Sequence, residues 1–152
     1  MQRWRTPKVS IAKTLAKPDA AGVPRLYLCD DADDYRSLVK AVFSSEADLE
    51  IVGEAADGAA CIAGGPAANP DVVLLDIDMP RMNGLDAIVH LRAAMPDVHV
   101  VMLTTAPAVD AEDEAMRRGA DAFIEKPRNV FDLPDVVRNR ITTLDSRRSS
   151  GH

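Results

Sequence analysis

Carboxylate residues follow two apolar runs of this 152-residue chain, at the points where those runs end. Asp30 and Asp31 come directly after Leu26–Cys29, and Asp76 comes directly after Val72–Leu75. Carboxylates that lie close together repel one another and need a cation. If the two runs are neighbouring strands, the sequence predicts a site for a hard ion such as Mg²⁺, or Mn²⁺, with oxygen ligands. A solvated acidic patch is the alternative, and it would be favoured for an Asp-Asp pair without a third carboxylate.

Two further side chains could act on a phosphoryl group. Thr104 follows an apolar run and offers a hydroxyl, and Lys126 offers an ammonium. Lys126 precedes Pro127, which favours extended backbone and holds the lysine in one direction. Each residue alone would be an ordinary strand-end threonine or a surface lysine. Together with a carboxylate nucleophile they predict phosphoryl transfer onto aspartate, with the hydroxyl, the ammonium and the cation neutralising the transferring group.

Five apolar runs have the length and residue types of strands, and a helical segment follows each of them. Strands that alternate with helices are typical of βαβ units in a parallel sheet, with right-handed crossovers. Sites in such sheets lie at the carboxyl ends of the strands, which is where the acids, the hydroxyl and the lysine fall. The predicted strands are Leu26–Cys29, Leu49–Ala55, Val72–Leu75, Val98–Leu103 and Ala122–Ile124.

The predicted helices differ in strength. Apolar residues recur at helical spacing over 35–43, and Asp33 or Asp34 is placed to be the N-cap of that helix. The second helix is predicted only over 59–63, because Gly64-Gly65-Pro66 should end it. That short element is the weakest part of the predicted fold.

Charge is distributed unevenly along the chain. Residues 1–24 hold five basic residues against one acid, a charge of +4, so the remainder of a chain with net charge −6 carries −10. An acidic body disfavours binding to nucleic acid, whose affinity comes largely from Lys and Arg. We interpret residues 1–24 as a flexible basic extension, with a basic docking arm as the alternative.

Cysteine usage and hydropathy bear on where the protein works. Cys29 and Cys61 have no motif spacing and are predicted to be two reduced thiols that pack as small apolar residues. No apolar run is long enough to cross a membrane, and no secretory signal is evident. We therefore expect a cytoplasmic protein without membrane partners.

Four segments of the chain resemble the response-regulator receiver family. The resemblance covers residues 25–145 in order and leaves 146–152 as a disordered tail. It implies an α/β fold of the flavodoxin-like type, a doubly wound (βα)5 arrangement with a parallel five-stranded sheet in the order 2-1-3-4-5. The segments that carry it are Leu28–Asp31, Leu74–Gly84 with its D-x-x-M-P-x-M-x-G pattern, Met102–Thr105 and Gly119–Pro127.

The resemblance implies a role for each acid of the cluster. Asp76 resembles the phosphoacceptor and a metal ligand. Asp31 resembles the direct Mg²⁺ ligand, whereas Asp30 resembles the acid that holds the ion largely through water. The backbone carbonyl of Asp78 would complete the protein ligands. The acidic side chain of Asp78 departs from an ordinary member of the family, and we hypothesise that it repels phosphate donors or alters the lifetime of the aspartyl phosphate.

The resemblance also implies a switch. Thr104 resembles the hydroxyl that moves towards the phosphoryl group, and Lys126 resembles the lysine that contacts it. Phe123 stands where the family has a rotating aromatic residue. An ordinary core residue of the fifth strand is the equally weighted alternative for Phe123.

Three functions are compatible with these residues. The first is a stand-alone phosphorylation switch, which receives phosphate from a histidine kinase or phosphotransfer protein. Because only 146–152 follow the receiver segment, its output would be binding to a downstream protein target, self-dimerisation or a relay. That output would use the face formed by the fourth helix, fifth strand and fifth helix.

The second is the receiver portion of a DNA-binding transcription regulator. The third is an Asp-nucleophile phosphohydrolase, suggested by Asp76-Ile77-Asp78. We expect self-phosphorylation and slow self-dephosphorylation, and no enzymatic turnover of an outside metabolite.

Overall fold

The computed structural model describes residues 22–150, with side chains through Leu144. The predicted basic extension therefore lies outside the described residues, apart from residues 22–24. The last helix is assigned through Ser150, and the disorder expected for 146–152 stays a prediction. No helix among the described residues is long and apolar enough to span a membrane.

Five strands form one parallel sheet in the order β2-β1-β3-β4-β5. This order confirms the predicted flavodoxin-like arrangement, and it makes β1 and β3 neighbours. Each observed strand lies within one residue of its predicted bounds at either end. The strands are β1 (Arg25–Cys29), β2 (Glu50–Ala55), β3 (Val72–Leu75), β4 (His99–Thr104) and β5 (Ala122–Glu125).

Helices connect the strands and cover both faces of the sheet. A 3₁₀ turn, Val130–Asp132, leads into the last of them. The helices are α1 (Asp33–Phe43), α2 (Gly58–Ala68), α3 (Gly84–Ala94), α4 (Ala111–Arg118) and α5 (Leu133–Ser150).

The alternation of side chains along β3 shows how the core is divided. Val72 and Leu74 pack on the face covered by α1 and α5, whereas Val73 and Leu75 pack on the face covered by α2, α3 and α4. All four side chains are fully buried. A strand that is buried on both faces reads as a continuous apolar run, and burial of each such side chain stabilises the fold by about 1.5–3 kcal/mol. The sheet is thus a rigid platform for the residues at its carboxyl edge.

The N-cap predicted for α1 is wrong. Ala32 occupies the cap position and makes no side-chain cap, while Asp33 and Asp34 lie in the first helical turn. The Asp30 carboxylate accepts a hydrogen bond of 2.9 Å from the backbone N–H of Ala32. Asp33 and Asp34 still favour the helix, because negative charge near the N-terminus interacts well with the helix dipole.

The prediction of a short second helix is also wrong, since α2 continues through the Gly-Gly-Pro sequence. A β-carbon on Gly64 would lie 2.8 Å from the Tyr27 hydroxyl, and one on Gly65 would lie 3.2 Å from the Met95 methyl group. The absence of a side chain at Gly64 therefore allows α2 to pack closely against β1, whereas the flexible Met95 methyl group leaves more freedom at Gly65. Pro66 lies in the last turn of α2 and has no N–H to donate, so the helix forgoes one backbone hydrogen bond there and ends two residues later.

The prediction of two separate thiols is contradicted. Cys29 at the end of β1 and Cys61 in α2 form a disulfide, with Cα atoms 6.3 Å apart. Both residues are buried, and their Cα separation lies within the usual disulfide range. The 32-residue separation in sequence gave no indication that packing α2 against β1 would bring the two sulfur atoms together.

Candidate functional site

Three carboxylates meet at the carboxyl edge of the sheet. One oxygen from each of Asp30, Asp31 and Asp76 lies within 4.8 Å of the others. The pairing of β1 with β3 produces this arrangement, because the backbone N–H of Asp76 donates a 2.9 Å hydrogen bond to the carbonyl oxygen of Cys29. Asp30 and Asp76 are buried, at 1 % and 7 % exposure, whereas Asp31 is exposed. The cluster is therefore open to solvent on the side of Asp31.

Lys126 is the counter-charge of this cluster. Its Nζ lies 2.6 Å from Asp30 Oδ2 and 3.6 Å from Asp76 Oδ2. The lysine reaches this position because its backbone N–H donates a 2.7 Å hydrogen bond to the carbonyl oxygen of Thr104. One ammonium faces three carboxylates, so the group retains excess negative charge.

Opposing interactions act on the pKa of the Asp76 carboxyl. Burial raises its pKa above the ordinary value, and the Asp30 carboxylate raises it further. The Lys126 ammonium lowers the pKa, as do hydrogen bonds from the Thr104 hydroxyl and from the Ile77 N–H, which lies 2.8 Å from Asp76 Oδ1. The net shift is upward. A cation bound beside Asp76 would favour its ionised, nucleophilic form.

The loop between β3 and α3 closes tightly over Asp76. A β-carbon on Gly84 would lie only 2.0 Å from the Asp76 carbonyl oxygen. The N–H of Gly84 donates to the carbonyl oxygen of Ile77 at 2.8 Å. Gly84 is therefore required by the shape of the loop that carries Asp76, and its only signal in the sequence is a glycine at the start of a helix eight residues after an acid.

A second contact fixes the same loop from the side of α2. Arg81 Nε donates to Asp57 Oδ2 at 2.9 Å, and Asp57 also caps α2 by accepting from the N–H of Ala60. The N–H of Gly58 donates to the carbonyl oxygen of Met82 at 3.0 Å. Arg81 has φ +65°, a left-handed conformation that is uncommon outside glycine. The Arg81–Asp57 pair holds the loop in this turn.

The remaining predicted site residues lie around the cluster. Thr104 is buried at the end of β4. Asp78 is exposed and its side chain is not part of the three-carboxylate group. Phe123 is half-buried on β5 and packs against the core on the α3 side of the sheet. A cavity of about 470 Å³ between α3 and α4 is lined by Thr104, Asp78 and Asp110, among others. The metal role of the Asp78 carbonyl and the switch roles of Thr104 and Phe123 stay predictions.

Two α1 residues near the cluster were missed. The Lys126 Nζ lies 4.2 Å from the centroid of the Tyr35 ring. Burial, with the nearby Asp30 and Asp76 carboxylates, raises the pKa of Tyr35 to about 12. Arg36 donates to the carbonyl oxygen of Asp30 at 2.5 Å and to Glu54 at 2.8 Å. Helical periodicity marked Tyr35 only as an apolar position, since a contact with a lysine 91 residues away leaves no local signal.

The donor set fits a hard divalent cation. All three side chains offer carboxylate oxygens, two of them buried, and their charge exceeds that of Lys126. Mg²⁺ and Mn²⁺ prefer such oxygen ligands. Asp30, Asp31 and Asp76 are therefore the residues that would hold the ion.

The comparisons with known proteins agree with this geometry. The chain belongs to the response regulator receiver domain family, whose model matches residues 26–138. Receiver domains bind Mg²⁺ through acidic residues, and the cluster of aspartates is compatible with such binding.

Its curated relatives are longer proteins. A protein-glutamate methylesterase/protein-glutamine glutaminase of Pyrococcus horikoshii is 40 % identical over 124 residues, which cover 77 % of this chain and 33 % of the relative. The uncharacterized transcriptional regulatory protein YxjL of Bacillus subtilis is 33 % identical over 75 % of this chain and 52 % of its own length. The chain thus spans between a third and about half of the relatives it matches.

This chain covers almost the whole length of the solved structures it resembles. The response regulator domain of Thermotoga maritima CheB superposes with a TM-score of 0.70 at 29 % identity, covering 81 % of this chain and 97 % of that one. The CheX-CheY-BeF3-Mg complex from Borrelia burgdorferi gives a TM-score of 0.68 at 25 % identity, covering 78 % and 90 %.

Proposed function

We propose that this chain is the phosphorylation switch of a two-component signalling system and that Asp76 accepts the phosphoryl group. The observation that carries the proposal is the meeting of three carboxylates with Lys126 at the carboxyl edge of the sheet. The family membership supports it, because receiver domains interact with histidine kinases and phosphotransfer proteins.

The proposed reaction transfers a phosphoryl group from a histidine nitrogen to a carboxylate oxygen. An Asp76 carboxylate oxygen attacks the phosphorus of a phosphohistidine, the bond from phosphorus to the histidine nitrogen breaks, and an aspartyl phosphate forms. Lys126 neutralises charge on the phosphoryl oxygens, and the Thr104 hydroxyl donates to one of them. A bound Mg²⁺, or Mn²⁺, supplies further neutralisation of that charge. Water later hydrolyses the aspartyl phosphate and restores Asp76, so the chain acts on its own phosphorylation state.

The output is proposed to be a change in partner binding at the face formed by α4, β5 and α5. The partner is a downstream protein target or a second copy of this chain, and the setting is the cytoplasm. The relative YxjL favours the second candidate function, in which this receiver controls a DNA-binding output domain. The phosphohydrolase alternative is weakened by the exposed Asp78, which stands apart from the three-carboxylate group instead of joining Asp76 as an acid pair.

Modification by beryllofluoride or acetyl phosphate tests this function. Wild type should be modified only with Mg²⁺, as read by intact mass or NMR shifts, and Asp76→Asn should not respond. Asp97→Asn is the matched control, because Asp97 is an exposed aspartate at the opposite, amino end of β4. An unresponsive wild type, or equal modification of Asp76→Asn, would refute the proposal.

A further inference from the structure

We propose that Tyr35 is a positioning residue that holds the Lys126 ammonium beside Asp76 for phosphoryl transfer. This inference rests on the proposed function, because the reaction at Asp76 is the one that the lysine serves. Nothing in the sequence pattern assigns Tyr35 more than a place on the apolar side of α1.

The Lys126 ammonium lies between an aromatic face and two carboxylates. Its Nζ is 4.2 Å from the centroid of the Tyr35 ring, and Asp30 and Asp76 lie 2.6 and 3.6 Å away. A cation within about 6 Å of an aromatic centroid is attracted by the negative face of the ring. The Lys126 side chain is 13 % exposed, so water screens this attraction less than it would at the surface.

The ring itself is held firmly. Tyr35 packs against the core on the α1 and α5 side of the sheet, and its neighbour Arg36 ties α1 to the Asp30 carbonyl oxygen at 2.5 Å. The Tyr35 hydroxyl is buried and makes no hydrogen bond with the residues that the structure describes. The hydroxyl therefore does not anchor the side chain, and the ring is the part that acts on Lys126.

This arrangement lets the ammonium move without being released. A cation is attracted anywhere over the ring face within about 6 Å of the centroid, so Lys126, now at 4.2 Å, can shift from Asp30 towards a phosphoryl group on Asp76 while it remains over Tyr35. Without the ring, the flexible lysine side chain would occupy more positions, and fewer of them would face the transferring group. We expect the transfer rate to fall by about 3- to 30-fold, the range that a cation–π contact spans.

The experiment compares ring-preserving and ring-removing variants. Tyr35→Phe should retain both the rate of phosphorylation by acetyl phosphate at saturating Mg²⁺ and the NMR shifts of the Lys126 Hε and Nζ nuclei in metal-free protein. Tyr35→Leu should slow the reaction and move the Lys126 signals, because the ring current is lost. Val42→Ala is the control, since it removes buried volume from the same helix at a position seven residues beyond Tyr35.

A further variant covers the case in which Tyr35→Leu does not fold. Trifluorophenylalanine at position 35 keeps the shape of the Tyr35→Phe ring and weakens its negative face, so it should slow phosphorylation relative to Tyr35→Phe. Equal phosphorylation rates for the trifluorophenylalanine and Tyr35→Phe variants would overturn the proposal. Equal losses of phosphorylation rate in Tyr35→Leu and Val42→Ala would also overturn it. If wild type itself takes no phosphoryl group, the proposed function fails and this inference falls with it; a reactive wild type with unchanged Lys126 signals in Tyr35→Leu would defeat this inference alone.

Discussion

Lys126 pairs more closely with Asp30 than with Asp76, at 2.6 Å against 3.6 Å. The ammonium thus supplies counter-charge to Asp30, a role that a bound metal cation would share. Removal of the lysine leaves three carboxylates without this counter-charge.

We therefore expect Lys126→Met to destabilise the metal-free protein by about 3–5 kcal/mol, the range for breaking a buried ion pair. The deficit should shrink in millimolar Mg²⁺, because the ion replaces the ammonium as counter-charge, and Mg²⁺ should bind more tightly than it does to wild type. Urea unfolding with and without Mg²⁺ measures both effects. A deficit that Mg²⁺ does not reduce would argue against a cation site at these carboxylates.

Gly84→Ala should disrupt the loop that carries Asp76. Its new β-carbon would lie 2.0 Å from the Asp76 carbonyl oxygen, so the backbone must move, at a cost of about 1–3 kcal/mol or more. We expect slower phosphorylation of Asp76 together with reduced stability.

The matched control for that substitution is Gly65→Ala. Its β-carbon would lie 3.2 Å from the flexible Met95 methyl group, and alanine favours a helix by about 0.5–1 kcal/mol over glycine. This variant should fold at least as stably as wild type and react normally. Similar losses of stability and phosphorylation rate in Gly84→Ala and Gly65→Ala would show that glycine is needed for helix packing in general and not for closure over Asp76.

The strands and the acids that end them could be predicted because their signals are local, whereas the strand order that makes β1 and β3 neighbours came from the resemblance to the receiver family. Val72–Leu75 is a continuous apolar run, and Asp76 ends it. A parallel sheet with β1 beside β3 is enough to bring Asp30 and Asp31 to Asp76.

The misjudged features depend on tertiary contacts instead. Gly64 and Gly65 read as a helix end, but the lack of a side chain at Gly64 is what lets α2 pack on Tyr27. The contact of Tyr35 with Lys126 joins α1 to the end of β5 and has no periodicity to reveal it.

We expect Asp76→Asn to stabilise the metal-free protein at neutral pH. Burial raises the pKa of the Asp76 carboxyl by more than Lys126 lowers it. A carboxyl with a higher pKa in the folded state binds more protons when folded, so stability falls as the pH rises from the unfolded to the folded pKa. The advantage of asparagine should therefore shrink as the pH falls through the raised pKa towards the ordinary aspartate value of about 3.9.

Urea unfolding of wild type and Asp76→Asn across this pH range measures the difference, with Asp97→Asn as the exposed control. An advantage that grows on acidification would mean that the ionised Asp76 stabilises the fold through Lys126, opposite to the expected sign.

Reduction of the Cys29–Cys61 disulfide should lower the free energy of unfolding. The bond closes a loop with a sequence separation of 32 residues, and the chain-entropy model assigns about 3–4 kcal/mol to a loop of that length. Disulfides are uncommon in cytoplasmic proteins, so phosphorylation should be assayed on the reduced form as well as on the disulfide-bonded form. Urea unfolding with and without reductant measures the difference, and Cys61→Ala should be insensitive to reductant.

Alkylation of two thiols in the unfolded, unreduced protein would show that no disulfide had formed. A disulfide that forms without raising the free energy of unfolding would mean that the packing of α2 on β1 already restrains this loop.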